Sequence, residues 1–124
     1  MTNRHHTIDY IEFPVDDVAA AKRFYGDAFG WTFTDYGPEY AGIQHPTEAG
    51  TEVGGLNGAG VDGPRGDGPL VQLYSDDLEA SVAAVERAGG TITVPPFGFP
   101  GGRRFHFTDP AGNQLGIWTA AAED

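Results

Sequence analysis

The stretch "FHFTDPAGNQLGIWTA", residues 105–120, decides the fold. It alternates apolar and polar residues, breaks at Asp-Pro-Ala-Gly-Asn, and alternates again, which is the pattern of a strand, a tight turn and a second strand. In the second strand Leu115 and Ile117 share one face, and Gln114, Gly116 and Trp118 share the other. Glycine weakens a strand interior and leaves a gap where a side chain would stand. Gly116 is therefore expected to deepen any cavity on its face and to let a ligand approach the backbone.

Working outward, the chain contains two copies of one unit. The segment "FPVDDVAAAKRFYGDAFGWTFT" (residues 13–34) overlays "LYSDDLEASVAAVERAGGTITV" (residues 73–94) at a shift of sixty. Identities are few, but strand, Asp-Asp, helix, glycine and strand recur in order. Each Asp-Asp can cap a helix N-terminus. The first helix is expected from about Asp17 to Phe29, with Val18, Ala21, Phe24, Tyr25 and Ala28 along one stripe. The second uses Leu78, Val82, Val85 and Ala88. Gly30 and Gly89-Gly90 stop them. Strand candidates follow: "WTFTDY", "EYAGIQ" and "TEVGGL" in the first copy, "TITVPP", "RRFHFT" and "NQLGIW" in the second. Each copy reads β-α-β-β-β, with helix on one sheet face and the other face free. Module one spans about 7–57, a Gly/Pro-rich linker about 58–69, and module two about 70–119, in one domain over 1–124.

Composition narrows the function. The 124 residues include 15 aromatics among 40% hydrophobic residues, enough for one core. The 19 glycines and 9 prolines favour short strands and turns over a bundle. No cysteine is present, which excludes disulfides, thiolate metal sites and cysteine nucleophiles. With 7 Lys and Arg against 18 Asp and Glu, the net charge is −11, so no basic face for nucleic acid is expected. No run approaches membrane-spanning length, and a cytoplasmic protein is expected. Three motif matches are set aside. "GAGVDG" (58–63) precedes no helix, so it lacks the N-terminus a pyrophosphate would need. "RGD" (65–67) is read as loop. His5-His6 is read as an exposed, disordered terminus that could hold a metal only adventitiously.

"PVDDVAAAKRFYGDAFGW", "FTDPAGNQLGIW" and the paired halves between them resemble the vicinal oxygen chelate superfamily of glyoxalases, bleomycin-resistance proteins and extradiol dioxygenases. The resemblance covers nearly the whole chain and is nearest to small glyoxalase-like proteins. It implies an α+β fold in which two tandem βαβββ modules form a cup-shaped mixed β-sheet with helices on the outer face. Metal-dependent members place a ligand on the first and last strand of each module, pointing into the cup. The matching positions here are Tyr10 and Leu70 on the first strands, Gly116 on the last strand of module two, and Gly54 or Leu56 on that of module one. Leucine and glycine offer no donor and a neutral tyrosine is a poor ligand. No metal and no cofactor are expected.

Strand alternation gives the expected lining: Tyr10, Glu12, Gln72, Tyr74, Arg104, His106, Gln114 and Trp118, around Gly116. Aromatic walls with a few polar groups suit a small organic ligand. Glu12 and His106 would form an acid–base pair if they met. Bland readings stand beside these. Glu12 can sit at a solvated rim, and His106 can be structural. Arg103 and Arg104 can either clamp a ligand carboxylate or decorate a sheet edge. Tyr74 and Trp118 can be core or dimer contacts. The leading expectation is a metal-independent protein that binds a small hydrophobic or aromatic ligand in the cup, as a homodimer, with no nucleic-acid or membrane partner. The alternatives are a cofactor-free isomerase, lyase or cyclase using Glu12 and His106, a metal-dependent glyoxalase or dioxygenase, and a non-catalytic dimer module.

Overall fold

The computed structural model describes residues 3–58 and 68–121. "GAGVDG" (all but Gly58) and "RGD" lie outside them. Eight strands and two helices follow one another as two β-α-β-β-β runs: β1 (Ile8–Pro14), α1 (Val18–Phe29), β2 (Phe33–Asp35), β3 (Tyr40–Gln44) and β4 (Glu52–Asn57), then β5 (Leu70–Tyr74), α2 (Leu78–Arg87), β6 (Thr91–Phe99), β7 (Gly102–Thr108) and β8 (Gln114–Ala120). The fold is α+β, as the repeat implied. Contacts separate two units. The first holds residues from Tyr10 to Pro69, and the second holds residues from Leu70 onward together with the segment up to Asp9.

In the first unit the strand order is β2-β3-β4-β1. β1 and β4 run parallel with Glu12 opposite Gly55, and β3 and β4 run antiparallel with Gly42 opposite Gly55. The buried apolar residues are Val18, Ala41, Ile43 and Leu56. α1 begins where the Asp17 carboxylate accepts the Ala20 N–H at 3.1 Å, and it ends at Gly30 with φ +75°. The apolar stripe expected on α1 is not a buried stripe. Val18 alone is buried, while Phe24 is 58% and Phe29 63% exposed. The aromatic rings instead pack on one another, Tyr25 stacking on Trp31 at 4.7 Å between centroids. Of these rings Tyr25 also reaches Phe13 of β1, at 6.0 Å between centroids, while Phe24 and Phe29 stay outside.

In the second unit the order is β5-β8-β7-β6. β5 and β8 are parallel with Gln72 opposite Gly116, and β7 and β8 are antiparallel with His106 opposite Gly116. Leu78, Phe105, Phe107 and Ile117 form the core, with Leu73, Val82, Val85, Ile92 and Leu115 packed against it. Asp77 caps α2 by accepting the Ala80 N–H at 3.1 Å. The turn of the opening motif closes on Asp109, whose Oδ1 accepts from Ala111 N–H at 3.0 Å and Asn113 N–H at 2.9 Å. β6 passes through Pro95-Pro96, where the sequence suggested a stop, and continues to Phe99. The prolines fall where the pairing with β7 shifts register, between Val94 opposite His106 and Phe97 opposite Arg104, and β6 has no neighbour on its other side in the strand order.

The N-terminal segment departs from the expected disordered terminus. His6 N–H donates to Tyr74 C=O at 2.7 Å and Tyr74 N–H to Thr7 C=O at 3.1 Å. The His6 Nε2 lies 3.0 Å from Ser81 Oγ, and His5 Nδ1 accepts the Asp76 N–H at 2.9 Å. Two hydrogen-bonding imidazoles beside a strand explain the order, a possibility that charge and position alone do not reveal. No helix among the described residues is long and apolar enough to cross a membrane.

Candidate functional site

Each unit carries a polar cluster on the sheet face away from its helix. In the first, alternation along β1 turns Ile11 and Phe13 one way and Tyr10 and Glu12 the other. Glu12 is 6% exposed, and both carboxylate oxygens are held. Tyr40 donates to Oε2 at 3.0 Å and Asn57 Nδ2 to Oε1 at 2.9 Å. The Tyr10 and Tyr40 hydroxyls are 2.6 Å apart, which extends the chain by one phenol. Burial is the main cause that raises the Tyr10 and Tyr40 phenols well above the ordinary tyrosine range, and the nearby Glu12 charge adds to it in both. Both therefore stay protonated and act as hydrogen-bonding hydroxyls. Beyond them Tyr36 donates to Glu52, and that hydrogen bond, with burial and the carboxylate charge, pushes the Tyr36 phenol up to about 12.

Glycines make the floor of this cluster. A Cβ on Gly55 would overlap the Tyr40 and Tyr10 hydroxyls, and one on Gly42 would overlap the Glu52 carboxylate. The sheet register thus puts Gly55 on the face of Glu12 and Tyr10. The position sought on this strand is Gly55, not Gly54 or Leu56. A Cβ on Gly54 would strike the backbone oxygen of Ile11, and Leu56 is fully buried among the core residues. The sixty-residue shift fails by one because Gly55 and Gly116, the partners of Glu12 and Gln72, are sixty-one apart.

In the second unit the ladder puts Gln72, Gly116 and His106 in one row, and Tyr74, Trp118, Arg104 and Phe97 in the next. Gln72, Arg104 and His106 are all buried. The Arg104 guanidinium lies 5.3 Å from the Phe97 ring centroid and 5.6 Å from that of Phe99, within cation–π range. His106 meets Phe97 edge-on at 5.7 Å, and Trp118 meets Tyr74 edge-on at 5.0 Å. Trp118 Nε1 donates to Asp9 at 2.9 Å. Gly116 does not open a gap as expected. The place its Cβ would take is walled by Gln72 Cγ at 3.2 Å, Gln72 Oε1 at 3.3 Å and His106 Cδ2 at 3.4 Å. The glycine accommodates its neighbours' side chains.

The expected residues therefore divide between the units. Tyr10 and Glu12 belong to the first, with Tyr36, Tyr40, Glu52 and Asn57, which the sequence reading missed. Tyr40 and Asn57 stand opposite each other in the β3–β4 ladder, and alternation from Gly42 and Gly55 would have reached them had the bulge at Ile43–Gln44 not obscured the register. Gln72, Tyr74, Arg104, His106, Gly116 and Trp118 share one face of the second unit. Gln114 lies at the open end of β8 and is exposed. Arg103 points away and pairs with Glu79, Nη2 to Oε2 at 2.6 Å, which holds the Glu79 carboxyl below its ordinary range. On the helix side a cleft of about 340 Å³ runs between α2 and the sheet, lined by Leu73, Val85, Phe107 and Ile117 with His6 and Ser81 on one wall. It lies across the sheet from the polar row.

The four positions that would hold a divalent metal carry a phenol in Tyr10, no side chain in Gly55 and Gly116, and an isobutyl group in Leu70. Among the described residues no group of three or more His, Asp or Glu side chains is placed to hold a metal. The donor set does not fit a divalent ion, which needs several oxygen or imidazole donors converging.

Comparison with known proteins agrees with this scaffold. The profile of the Glyoxalase/Bleomycin resistance protein/Dioxygenase superfamily matches residues 7–117. CFP32 of Mycobacterium tuberculosis, which carries a provisional glyoxylase name, is 32% identical over 94% of this chain and 47% of its own length. The anthracycline biosynthesis protein DnrV of Streptomyces peucetius is 33% identical over 82% of this chain and 42% of its own. A Mn(II)-bound glyoxalase from Novosphingobium aromaticivorans superposes with a TM-score of 0.66 at 25% identity, over 99% of this chain and 43% of that one. The chain spans about half the length of the curated relatives it matches. With a family profile covering almost every element from β1 to β8, the chain belongs to the Glyoxalase/Bleomycin resistance protein/Dioxygenase superfamily.

Proposed function

We propose that the protein binds a small hydrophobic or aromatic organic molecule in the cup of this fold without a metal. One observation carries the reading. At the four positions where metal-dependent relatives need donors, this chain has Tyr10, Gly55, Leu70 and Gly116, while the second unit offers rings and buried polar groups on the sheet face of its own Gly116. Phe97, Phe99 and Trp118 supply apolar area, and Arg104, His106 and Gln72 supply polarity, the mixture that ligand pockets use. The anthracycline biosynthesis relative makes polycyclic aromatic compounds a reasonable first set to screen. A homodimer fits relatives that are twice as long. The test is a thermal-shift screen of EDTA-treated protein against aromatic metabolites and antibiotics. Binding at a ligand concentration of one hundred Kd stabilises by about 2.7 kcal/mol, a readable rise in Tm. If no compound raises the Tm, the reading falls.

A second reading, a cofactor-free isomerase, lyase or cyclase, draws on the Tyr10–Tyr40–Glu12 chain. Its acid–base candidates are Glu12 acting through two phenols in the first unit and, separately, His106 in the second. A hydrogen-bonded carboxylate and phenol can pass a proton to or from a ligand oxygen. The test is turnover by a bound ligand from the same screen. Glu12→Gln lowers kcat by a hundredfold or more under this reading, and leaves the Kd alone under the first.

A further inference from the structure

Gln72 is 3% exposed, and its buried Oε1 finds no partner among the described residues. A buried amide oxygen left unbonded is costly, and a ligand that bonds it removes that cost. Gly116, opposite it in the ladder, has no Cβ, so the Gln72 side chain lies across β8, with its Cγ 3.2 Å and its Oε1 3.3 Å from where that atom would stand. An amide presents one acceptor and two donors in one plane, and it pairs in bidentate fashion with a partner that offers a donor and an acceptor side by side. The adjoining row supplies flat surfaces in Trp118 and Phe97.

We infer that Gln72 reads the ligand: its amide pairs with a donor–acceptor edge, a lactam or carboxamide, on a planar aromatic molecule. The inference rests on the binding reading above and adds the ligand's chemical class and the residue that selects it. A water molecule could satisfy the same amide, but it would give no preference between two ligands that differ only at that edge.

The experiment uses matched pairs titrated calorimetrically into the full chain: 2-quinolinone with N-methyl-2-quinolinone, and 1-naphthamide with its N,N-dimethyl derivative, alongside 2-methylquinoline and the aromatic screening set. Wild type binds the N–H member of each pair about tenfold tighter, the worth of one to two hydrogen bonds. Gln72→Met, which keeps the length and removes the polar atoms, brings each pair within about twofold. Gly116→Ala, whose methyl would crowd the amide, weakens the preference as well and serves if Gln72→Met does not fold. Equal binding of both members to wild type, or an unchanged preference in both variants, overturns the role of Gln72 and leaves the binding reading intact. So does binding by 2-methylquinoline or screening compounds alone. If nothing in either set binds, both fall together.

Discussion

Gly55 lies beneath two phenols, and its missing Cβ is what allows the Tyr10–Tyr40–Glu12 chain to lie flat on β4. Gly55→Ala should destabilise the protein by about 1–3 kcal/mol, the usual cost of overpacking, read as a lower urea midpoint with an unchanged slope. Tyr40→Phe removes a donor from a buried carboxylate and should cost about 1–3 kcal/mol by the same assay. Tyr36 gives a spectroscopic check. Its phenol titrates at about 12 because it is tied to Glu52, so Glu52→Ala should bring it down toward 10 in an NMR titration of labelled tyrosine. At this scale the sequence was partly legible. Alternation along β1 turned Tyr10 with Glu12, and along β5 it turned Gln72 with Tyr74, while the pairing of Gln72 with Gly116 came only with the register. It misjudged what Gly116 does, because a glycine's empty volume belongs to whichever neighbour leans into it, here Gln72 and His106.

The elements repeat the lesson with longer-range causes. Both helices start at the second aspartate of an Asp-Asp pair, a local rule that sequence alone exposes. The burial of α1 was not legible, because it depends on what the sheet offers a ring to fill. Phe24→Ser and Phe29→Ser should therefore each change stability by no more than about 0.5 kcal/mol, as exposed substitutions do. The β7–β8 turn has a sharper signature. Asp109 is held below its ordinary carboxyl range by the Asn113 side chain and by backbone N–H groups of the turn. A folded pKa below the unfolded one gives stability that is full above about 3.9 and is lost as pH falls through the lower folded value. Asp109→Asn should therefore cost stability at pH 7, cost little at pH 2, and flatten the acid limb of a Tm-against-pH curve. β6 runs past two prolines because they sit at a register shift in its pairing with β7 and it has no neighbour on its other side, information held in the topology and not in the segment.

At the scale of the molecule, the duplication was readable from spacing, and with it the two β-α-β-β-β runs, whereas the parallel β1–β4 and β5–β8 pairings came from the structure. The allocation of the segment up to Asp9 to the second unit was not readable, since it rests on the hydrogen bond that Asp76 N–H donates to His5 and on the one between His6 and Ser81. The central claim is chemical: a family scaffold whose metal positions carry Tyr10, Gly55, Leu70 and Gly116 in place of a donor set, with the organic-ligand reading proposed above. The most direct measurement is a calorimetric titration of EDTA-treated protein with Mn(II), Zn(II) and Ni(II), repeated on a His5→Ala/His6→Ala variant to remove the surface imidazoles. The account predicts no saturable binding tighter than about 100 µM in that variant, since no site supplies the three or four converging donors a tight complex needs. One equivalent of metal held at micromolar Kd or better, and lost on Tyr10→Phe or Glu12→Gln, would contradict it.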